Sequence, residues 1–497
     1  MKKEKNHSLL PEFFKIQKAS LATEDGQRCL VAPHPTLKKK IDAAMKKIIL
    51  STSNGVLSNR VMLGKPYKPV GFNDGLIYPG DTFPLGTTAA VARSAAANLS
   101  PLTGILRVIV VLVDFSDKHM TRTKSHFEDL FFSLDTVATG SVREYFREVS
   151  NNKIDIQGQV VGPYRLPRTL NQYAHGESGI GEAAPNARTM AKDAAVAANP
   201  AVNFSTYDNN NDGFVDAFVI IHAGTGGEMT GSGGDIWSHK WVLPSAYNVD
   251  GGKKIYAYLT VPEDCKLGVC AHELGHLLFG FPDLYDADGS SQGIGNWCLM
   301  AGGTWNNNGL TPAHPCAWCK IKQNWVTVKN QTQNQNKVAI KDIKTGFKAY
   351  RLWKNGTTGN EYFLVENRQK SKYDSHLPNG GLLIWHIDDS VADNTGEVHY
   401  KVALMQADGK RDLEMNRNRG DAGDCFPGST GNKKFNATSN PNSLSYAGST
   451  TNVAVMNISR TGPVMYADLN VKRTVVKKAA AKKVPKTTKK KAKTMTA

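Results

Sequence analysis

The sequence predicts an α+β fold followed by a disordered basic tail. Between residues 106 and 325, runs of β-branched residues alternate with amphipathic helical segments, and short strands and turns dominate from 326 to 471. Residues 472–497 hold eleven lysines or arginines and no acidic residue, a composition typical of disorder. Because 497 residues far exceed the roughly 150 of one compact unit, we predict an α+β domain at 106–325, a β-rich C-terminal domain at 326–471 and an N-terminal extension or prodomain-like region at 1–105.

The predicted elements of the α+β domain begin with a buried strand at residues 107–115. Residues 141–150 follow as a helix, because Ser141 and Glu144 form the pattern of a capping box. Further predicted strands lie at 153–162, 217–223 and 254–261, and in the C-terminal domain at 347–353, 362–366, 382–386 and 400–406. The strand at 254–261 is predicted to have an exposed edge that could pair with an extended substrate.

Residues 271–283 carry the pattern with the most chemical content, which is two histidines four residues apart with a glutamate after the first. On an α-helix, residues four apart lie on one face, so His272 and His276 can reach one metal ion. A catalytic zinc ion keeps three protein ligands and a water whose pKa falls toward about 7. Glu273 is therefore predicted to be the general base that activates zinc-bound water for attack on a peptide carbonyl.

The third zinc ligand is predicted to come from the chain after the helix. Gly280 and Pro282 are residues at which a helix ends and the chain turns, and such a turn would bring Asp283 back to the metal. Asp286 is the alternative third ligand. Met300 precedes small residues able to form a tight turn, which we expect beneath the metal-binding helix.

Together these motifs resemble the M6 family of metallopeptidases, the immune inhibitor A type, within the metzincin-like zincins. The resemblance runs from about residue 106 to 458, and its stretches outside the zinc motif are 107–115, 141–150, 236–241, 361–369, 381–388 and 420–428. It implies a zincin-like catalytic domain with zinc-dependent endopeptidase activity on protein or peptide substrates. The family pattern HExxHxxGxxD has one residue fewer before the glycine than this chain. An extra helical residue rotates the chain after it by about 100° and lifts it by about 1.5 Å, so the turn at Gly280 must absorb the difference.

A second motif, at residues 208–216, places oxygen-bearing side chains at alternating positions beside a glycine. Calcium favours such oxygen cages, whereas the simpler alternative is an Asn/Asp-Gly turn that leads into the next strand. The loop is not an EF-hand, because Val219 stands where a bidentate glutamate belongs. We favour calcium, with the predicted ligands Asp208, Asn210, Asp212 and Asp216. The stretch 420–428, with Asp421 and Asp424, is a weaker candidate that could be a second calcium site or simply a polar loop.

The cysteines give weaker signals. Cys316 and Cys319 form a CxxC close to His314, but no second CxxC accompanies it, so we favour buried thiols or a disulfide over a second metal site. Cys265 and Cys270 are open to the same two interpretations. Cys29 could hold the zinc in a latent form, because thiolate is a good zinc ligand, yet a lone cysteine is far more often inert. The histidines expected to be structural or exposed are His222, His239, His314 and His386.

The basic balance of the chain is largely local to its tail. Of the net charge of +17, residues 472–497 account for 11 and leave +6 for the rest. The alternative function is therefore a polyanion-binding protein that acts through this tail, with an inactive zincin body. The intact His272, Glu273 and His276 argue for the enzyme.

The sequence leaves the cellular location open. No run of 18 or more apolar residues occurs, so no transmembrane segment is predicted. The apolar cluster near the N-terminus is broken by Pro11 and Glu12 and is too short for a secretory signal. The family resemblance implies secretion, and a cytoplasmic location is the alternative.

Overall fold

The computed structural model of the protein describes residues 29–51 and 100–473, with side chains in the first range described to residue 43. The predictions made for the basic tail beyond residue 473, and for residues 1–28 and 52–99 of the N-terminal region, lie outside the described residues. Within the described ranges, no helix has the length and apolar character needed to cross a membrane.

The α+β region is built on a six-stranded mixed sheet. Its strands are β1 (Cys29–Leu30), β2 (Gly104–Asp114), β3 (Ile154–Arg165), β4 (Phe218–His222), β5 (His239–Asn248) and β6 (Lys254–Pro262), in the order β1-β5-β6-β4-β2-β3. Strands β3, β2, β4 and β6 run parallel, which explains why β2 and β4 read as near-continuous apolar runs. The predicted strands 107–115, 153–162, 217–223 and 254–261 are confirmed.

The prediction of an exposed edge on β6 is wrong. This strand pairs with β4 on one side and with β5 on the other. The free edge of the four parallel strands is extended by β5, which runs antiparallel to β6 and in turn carries β1. Every residue of β6 after Lys254 is buried, and the position of a strand within a sheet cannot be read from the alternation of residue types along it.

Helices cover the sheet. In chain order they are α1 (Pro35–Ser51), α2 (Lys124–Phe132), α3 (Val142–Val149), α4 (Leu170–Ala174), α5 (Ala187–Ala198), α6 (Gly227–Thr230) and α7 (Leu267–Phe279). The capping box predicted for α3 is present, since Ser141 accepts from the Glu144 backbone N–H and Glu144 accepts from that of Ser141. Helix α7 leaves β6 after a short turn, and all of its residues are buried, the polar His272, Glu273 and His276 among them.

The chain after residue 316 is rich in strands. It forms the helices α8 (Ala317–Lys322) and α9 (Ile343–Gly346) and the strands β7 (Thr327–Gln331), β8 (Gln335–Lys341), β9 (Lys348–Trp353), β10 (Glu361–Arg368), β11 (Gly381–Asp388), β12 (Val402–Leu404), β13 (Ala454–Met456) and β14 (Val464–Asn470). One sheet has the order β12-β11-β10-β9-β7 and another the order β13-β14-β8. The four strands predicted in this region are confirmed.

One hydrophobic core crosses the predicted domain boundary at residue 325. Trp325 packs between Phe279 and Phe281, with ring centroids 4.9 Å and 5.4 Å away, and the same core contains Trp385 and Leu404. A second, smaller core lies among the C-terminal strands. The separation into domains at 106–325 and 326–471 stays a prediction. Residues from both sides of the predicted boundary contribute to one core.

Candidate metal centre

Helix α7 presents His272 and His276 to a common point. The two residues lie one turn apart on one face, both are fully buried, and their Nε2 atoms are 3.1 Å from each other. Their rings stand nearly perpendicular, at 86°. The sequence prediction that these two imidazoles converge is therefore met by the geometry.

The hydrogen-bond partners of the two Nδ1 atoms determine the tautomer of both imidazole rings. His272 Nδ1 lies 3.0 Å from the Leu299 carbonyl oxygen, and His276 Nδ1 contacts the Phe281 carbonyl oxygen. Because a carbonyl can only accept, each Nδ1 is the N–H donor and each Nε2 carries a lone pair. Burial also lowers the pKa of His276, which favours the neutral ring.

Asp283 completes the group. Its Oδ1 lies 3.2 Å from His272 Nε2 and 3.2 Å from His276 Nε2. Ligand atoms about 2.0 Å from a tetrahedral zinc ion lie about 3.3 Å from one another, which matches all three separations. Three lone-pair atoms facing one another at this distance repel unless a cation lies between them, so these residues fit a zinc ion.

The extra residue in the motif is absorbed where α7 ends. Gly280 adopts the left-handed conformation, with φ of 59°, and its N–H reaches the carbonyls of both His276 and Gly275. The Phe281 N–H bonds to the Gly275 carbonyl, six residues back. This closing turn is wider than the usual helix end, and it swings the chain so that Asp283 faces the two imidazoles.

Asp286, the alternative third ligand, is directed elsewhere. Its carboxylate accepts hydrogen bonds from the Ser291 N–H and hydroxyl at 2.8 Å and 2.7 Å, from the Ser290 hydroxyl at 2.9 Å and from the Asp288 N–H at 3.0 Å. These bonds organise the loop after the helix. The geometry therefore favours Asp283.

Glu273 is the most unusual carboxylate of the region. It is fully buried, and neither of its oxygens has a hydrogen-bond partner among the described residues. Burial raises its pKa well above the usual range, and the negative charge of Asp283 raises it further. A buried carboxylate with no partner lowers the stability of the folded protein. Glu273 therefore does not serve the stability of the fold.

Two residues support the histidines from below. The turn at Met300 lies under α7 as predicted, because a Cβ added at Gly275 would come within 2.9 Å of the Met300 sulfur. Sequence reasoning missed Thr304, whose hydroxyl lies 3.0 Å from His272 Nδ1. Its role depends on a contact 32 residues distant in the chain, and no local pattern signals it.

The predicted calcium loop forms a network of short-range hydrogen bonds. Asp208 accepts from the backbone N–H groups of Asp212 and Gly213 and pairs with Lys253 at 2.7 Å. Asn210 donates to Asp212 at 2.9 Å. Asp216 is buried, its Oδ1 has no partner among the described residues, and burial raises its pKa to about 7. Lys253 was not foreseen from the sequence.

The second acidic stretch gains carboxylates from an earlier loop, and its assignment as a calcium site stays a prediction. Asp421 lies with Asp408 and Asp412, whose carboxylate oxygens are all within 4.8 Å of one another. Asp424 accepts from the Trp297 indole N–H at 2.9 Å and from the Asp421 backbone N–H at 3.0 Å. The partners of Asp421 come from an earlier loop, which the sequence motif did not include.

The cysteines show no disulfide, and all seven lie within the described ranges. Cys265 and Cys270 are buried, with sulfurs 3.4 Å apart. Cys316, Cys319 and Cys298 form a buried cluster with all sulfurs within 4.8 Å of one another. Buried thiols are therefore the form that the structure shows, and Cys298 is a member that the CxxC motif did not reveal.

The four histidines expected to be structural or exposed are all buried and hydrogen-bonded outside the metal centre. His314 bonds through its two ring nitrogens to Glu148 and Lys320, so it takes no part in the thiol cluster. Of the other three, His222 bonds to the Ala223 carbonyl, His239 to the Trp237 carbonyl and the Tyr258 hydroxyl, and His386 to Glu361.

The mixed sheet, the buried helix and the converging ligands define the class of the protein, an α+β protein with a candidate metal centre of the metallopeptidase type. Comparison with known proteins bears on the family. Residues 106–333 match the family described as immune inhibitor A peptidase M6, catalytic domain. The resemblance identified from the sequence motifs is thereby confirmed.

Similar proteins come from two bacterial genera. The pre-pro-metalloprotease PrtV of Vibrio cholerae serotype O1, from strains M66-2 and ATCC 39315 / El Tor Inaba N16961, is 30% identical over 269 residues, covering 43% of this chain and 29% of PrtV. Immune inhibitor A of Bacillus thuringiensis subsp. alesti is 33% identical over 261 residues, covering 41% of this chain and 38% of the relative. The chain thus matches about a third of the length of these relatives.

Proposed function

We propose that the protein is a zinc-dependent endopeptidase that hydrolyses peptide bonds in protein substrates. The observation that carries this proposal is the convergence of three lone-pair atoms, from His272, His276 and Asp283, beside a buried glutamate with no partner. The match of residues 106–333 to a peptidase family supports the same conclusion.

His272, His276 and Asp283 would hold the zinc ion. When bound there, zinc supplies a Lewis acid that polarises the scissile carbonyl and makes a water molecule nucleophilic near neutral pH. The hydrogen bonds from both Nδ1 atoms to backbone carbonyls keep the Nε2 lone pairs directed at the metal and raise the basicity of the rings.

Glu273 acts as the general base and later as the acid. It takes the proton of the attacking water and delivers it to the leaving amine. Its raised pKa suits this role, because a carboxylate with an ordinary pKa is a weak base at neutral pH. The lack of other partners leaves both oxygens available to the water.

Metal loading tests the proposed centre. We expect one zinc ion per chain, and we expect His276→Ala to lose nearly all of it, because the variant lacks one of the two imidazole ligands on which the site is built. His386→Asn is the matched control, since His386 is a buried histidine that pairs with Glu361 away from the centre. Zinc is measured by atomic absorption after gel filtration, together with casein hydrolysis before chelation, after chelation and after zinc is restored. Full zinc occupancy in His276→Ala would contradict the proposal.

We also propose calcium at the loop 208–216. Asp216 has an unpartnered buried oxygen, and its pKa of about 7 reflects burial, with the charges of Asp212 and Asp208 adding to it. The negative charges of Asp208 and Asp212 repel that of Asp216, and Lys253 pairs with Asp208. A divalent cation bound by the loop would offset this repulsion further. Polyanion contact through residues 472–497 stays a prediction.

Calcium binding can be tested by measuring the melting temperature. We expect saturating calcium to raise the melting temperature of the wild-type protein by a few degrees, because a ligand that binds only the folded state stabilises it. Asp212→Asn should remove this increase, whereas Asp421→Asn, in the other acidic group, should retain it. The measurement is differential scanning calorimetry with and without calcium at fixed zinc. An equal increase in the Asp212→Asn variant would place the calcium elsewhere.

A further inference from the structure

Residues 29–34 form a segment that lies along the edge strand next to the metal centre. Strand β1 pairs antiparallel with β5, with Cys29 opposite Lys240 and Leu30 opposite His239. The pairing continues with the Val31 N–H, which donates to the Ser238 carbonyl at 3.2 Å. Adding a strand to a sheet edge is a common way for a protein to bind an extended peptide, and this segment occupies that edge.

Side chains of the α+β region also hold the segment by hydrogen bonds to its backbone. Three consecutive carbonyls accept hydrogen bonds from donors on three different parts of the α+β region. Such bonds depend little on the sequence of the peptide they hold, as a groove for protein substrates requires. The bonds, each 2.8 Å long, run from the Tyr285 hydroxyl to Leu30, from the Trp237 indole to Val31 and from the Trp305 indole to Ala32.

Burial anchors the far end of the segment. Val31 is completely buried, and the His34 N–H donates to the Glu228 carbonyl at 2.9 Å. In helix α1, which comes next, Leu37 is buried and Lys38 donates to the Gly289 carbonyl at 3.0 Å. The segment is therefore an integral part of this surface of the fold.

Its first residue reaches the metal ligands. The Cys29 sulfur, a ring nitrogen of His276 and a carboxylate oxygen of Asp283 all lie within 4.8 Å of one another. Three protein ligands leave one position of a tetrahedral zinc ion open, and thiolate is a strong zinc ligand. Glu273 is an independent sign that this point takes a ligand, because it is buried beside Asp283 with two unpartnered oxygens.

We propose that residues 29–34 are a built-in inhibitor that fills the substrate groove of β5 and supplies the Cys29 thiolate as the fourth zinc ligand. On binding, the thiol gives its proton to solvent and a sulfur–metal bond replaces the bond to water. The nucleophile and the peptide substrate are excluded together. This inference rests on the proposed zinc site, and it makes the described arrangement the latent form of the enzyme.

The experiment uses the full-length chain loaded with cobalt in place of zinc. We expect a near-ultraviolet thiolate-to-cobalt charge-transfer band that disappears in Cys29→Ala, while the visible cobalt bands remain. Cys425→Ala is the matched control and should keep the band, because the Cys425 thiol is buried against the Gly380 carbonyl. Cobalt binding without a charge-transfer band in the wild type would overturn the inference and leave the zinc site intact. Failure to bind cobalt at all would reject both.

Thiol alkylation gives a second readout that does not depend on the stability of the Cys29→Ala variant. The six other cysteines are buried, so iodoacetamide should modify Cys29 rapidly in the chelated protein and at least about tenfold more slowly in the zinc-loaded one. Val31→Asp places a charge at a buried position and should release the segment. It should thereby restore rapid alkylation in the presence of zinc and raise casein hydrolysis. Equal alkylation rates with and without zinc in the wild type would also overturn the inference.

Discussion

Glu273→Gln is expected to reduce the rate of casein hydrolysis by about 10²- to 10⁴-fold, the usual contribution of a general base, while the zinc content stays at the wild-type value. The amide has nearly the same size as the carboxylate but cannot accept a proton. Glu273 is not among the three converging ligand atoms, so the metal should remain. The decrease should appear in kcat, since the substrate groove is unaltered.

The matched control for this variant is Glu414→Gln. Glu414 is another glutamate whose pKa is raised by burial, but it lies in the C-terminal region and bonds to Gln406 at 2.7 Å. All proteins in this comparison carry Val31→Asp, which releases residues 29–34 from the groove, and zinc content, melting temperature and hydrolysis are compared across this parent and both variants. Unchanged hydrolysis in Glu273→Gln would remove the base assignment, and loss of zinc in that variant would mean that Glu273 binds the metal.

The elements near the centre could be predicted from the sequence because their signals are local. Four-residue spacing places His272 and His276 on one face of any helix, and the capping box of α3 involves residues three apart. The extra residue before Gly280 was also recognisable, together with the need for the turn to absorb it. Local geometry determines each of these features, so one sequence suffices to find them.

The remaining features depend on which distant segments meet, and local patterns contain little information about this. The choice between Asp283 and Asp286 is made by a widened turn and by the serines that engage Asp286. Thr304 and Lys253 reach their partners only after the chain has folded back. Cys29 is a lone cysteine by sequence, and its position 247 residues before His276 gives no indication that the two side chains lie together.

A buried ion network links the two regions that the sequence divides at residue 325. Arg368, fully buried, donates to both carboxylate oxygens of Asp374, with Nε to Oδ2 at 2.7 Å. Asp374 also accepts from the His314 backbone N–H at 3.0 Å, and Lys344 lies 3.4 Å from it. Burial alone would raise the pKa of Asp374, but Arg368, His314 and Lys344 hold it well below its usual range.

Asp374→Ala is expected to lower the free energy of unfolding by about 3–5 kcal/mol, because it removes the carboxylate that accepts two hydrogen bonds from buried Arg368 and leaves only Glu366, 3.5 Å away, to offset that charge. Asp155→Ala is the matched control. Asp155 also forms a two-bond pair with an arginine, Arg143, but this pair is partly exposed, and its loss should lower the free energy of unfolding by about 1 kcal/mol or less.

The stabilisation by Asp374 also depends on pH. Since the pKa of Asp374 is lowered in the folded state, its contribution to stability is present above the ordinary carboxyl range and is lost as the pH falls through the lowered value. Urea unfolding at neutral pH, followed by tryptophan fluorescence and by loss of zinc, measures both variants. Because Trp325 and Trp385 lie in one core, we expect a single transition in which both signals change together; two separate transitions would establish the two domains as independent folding units.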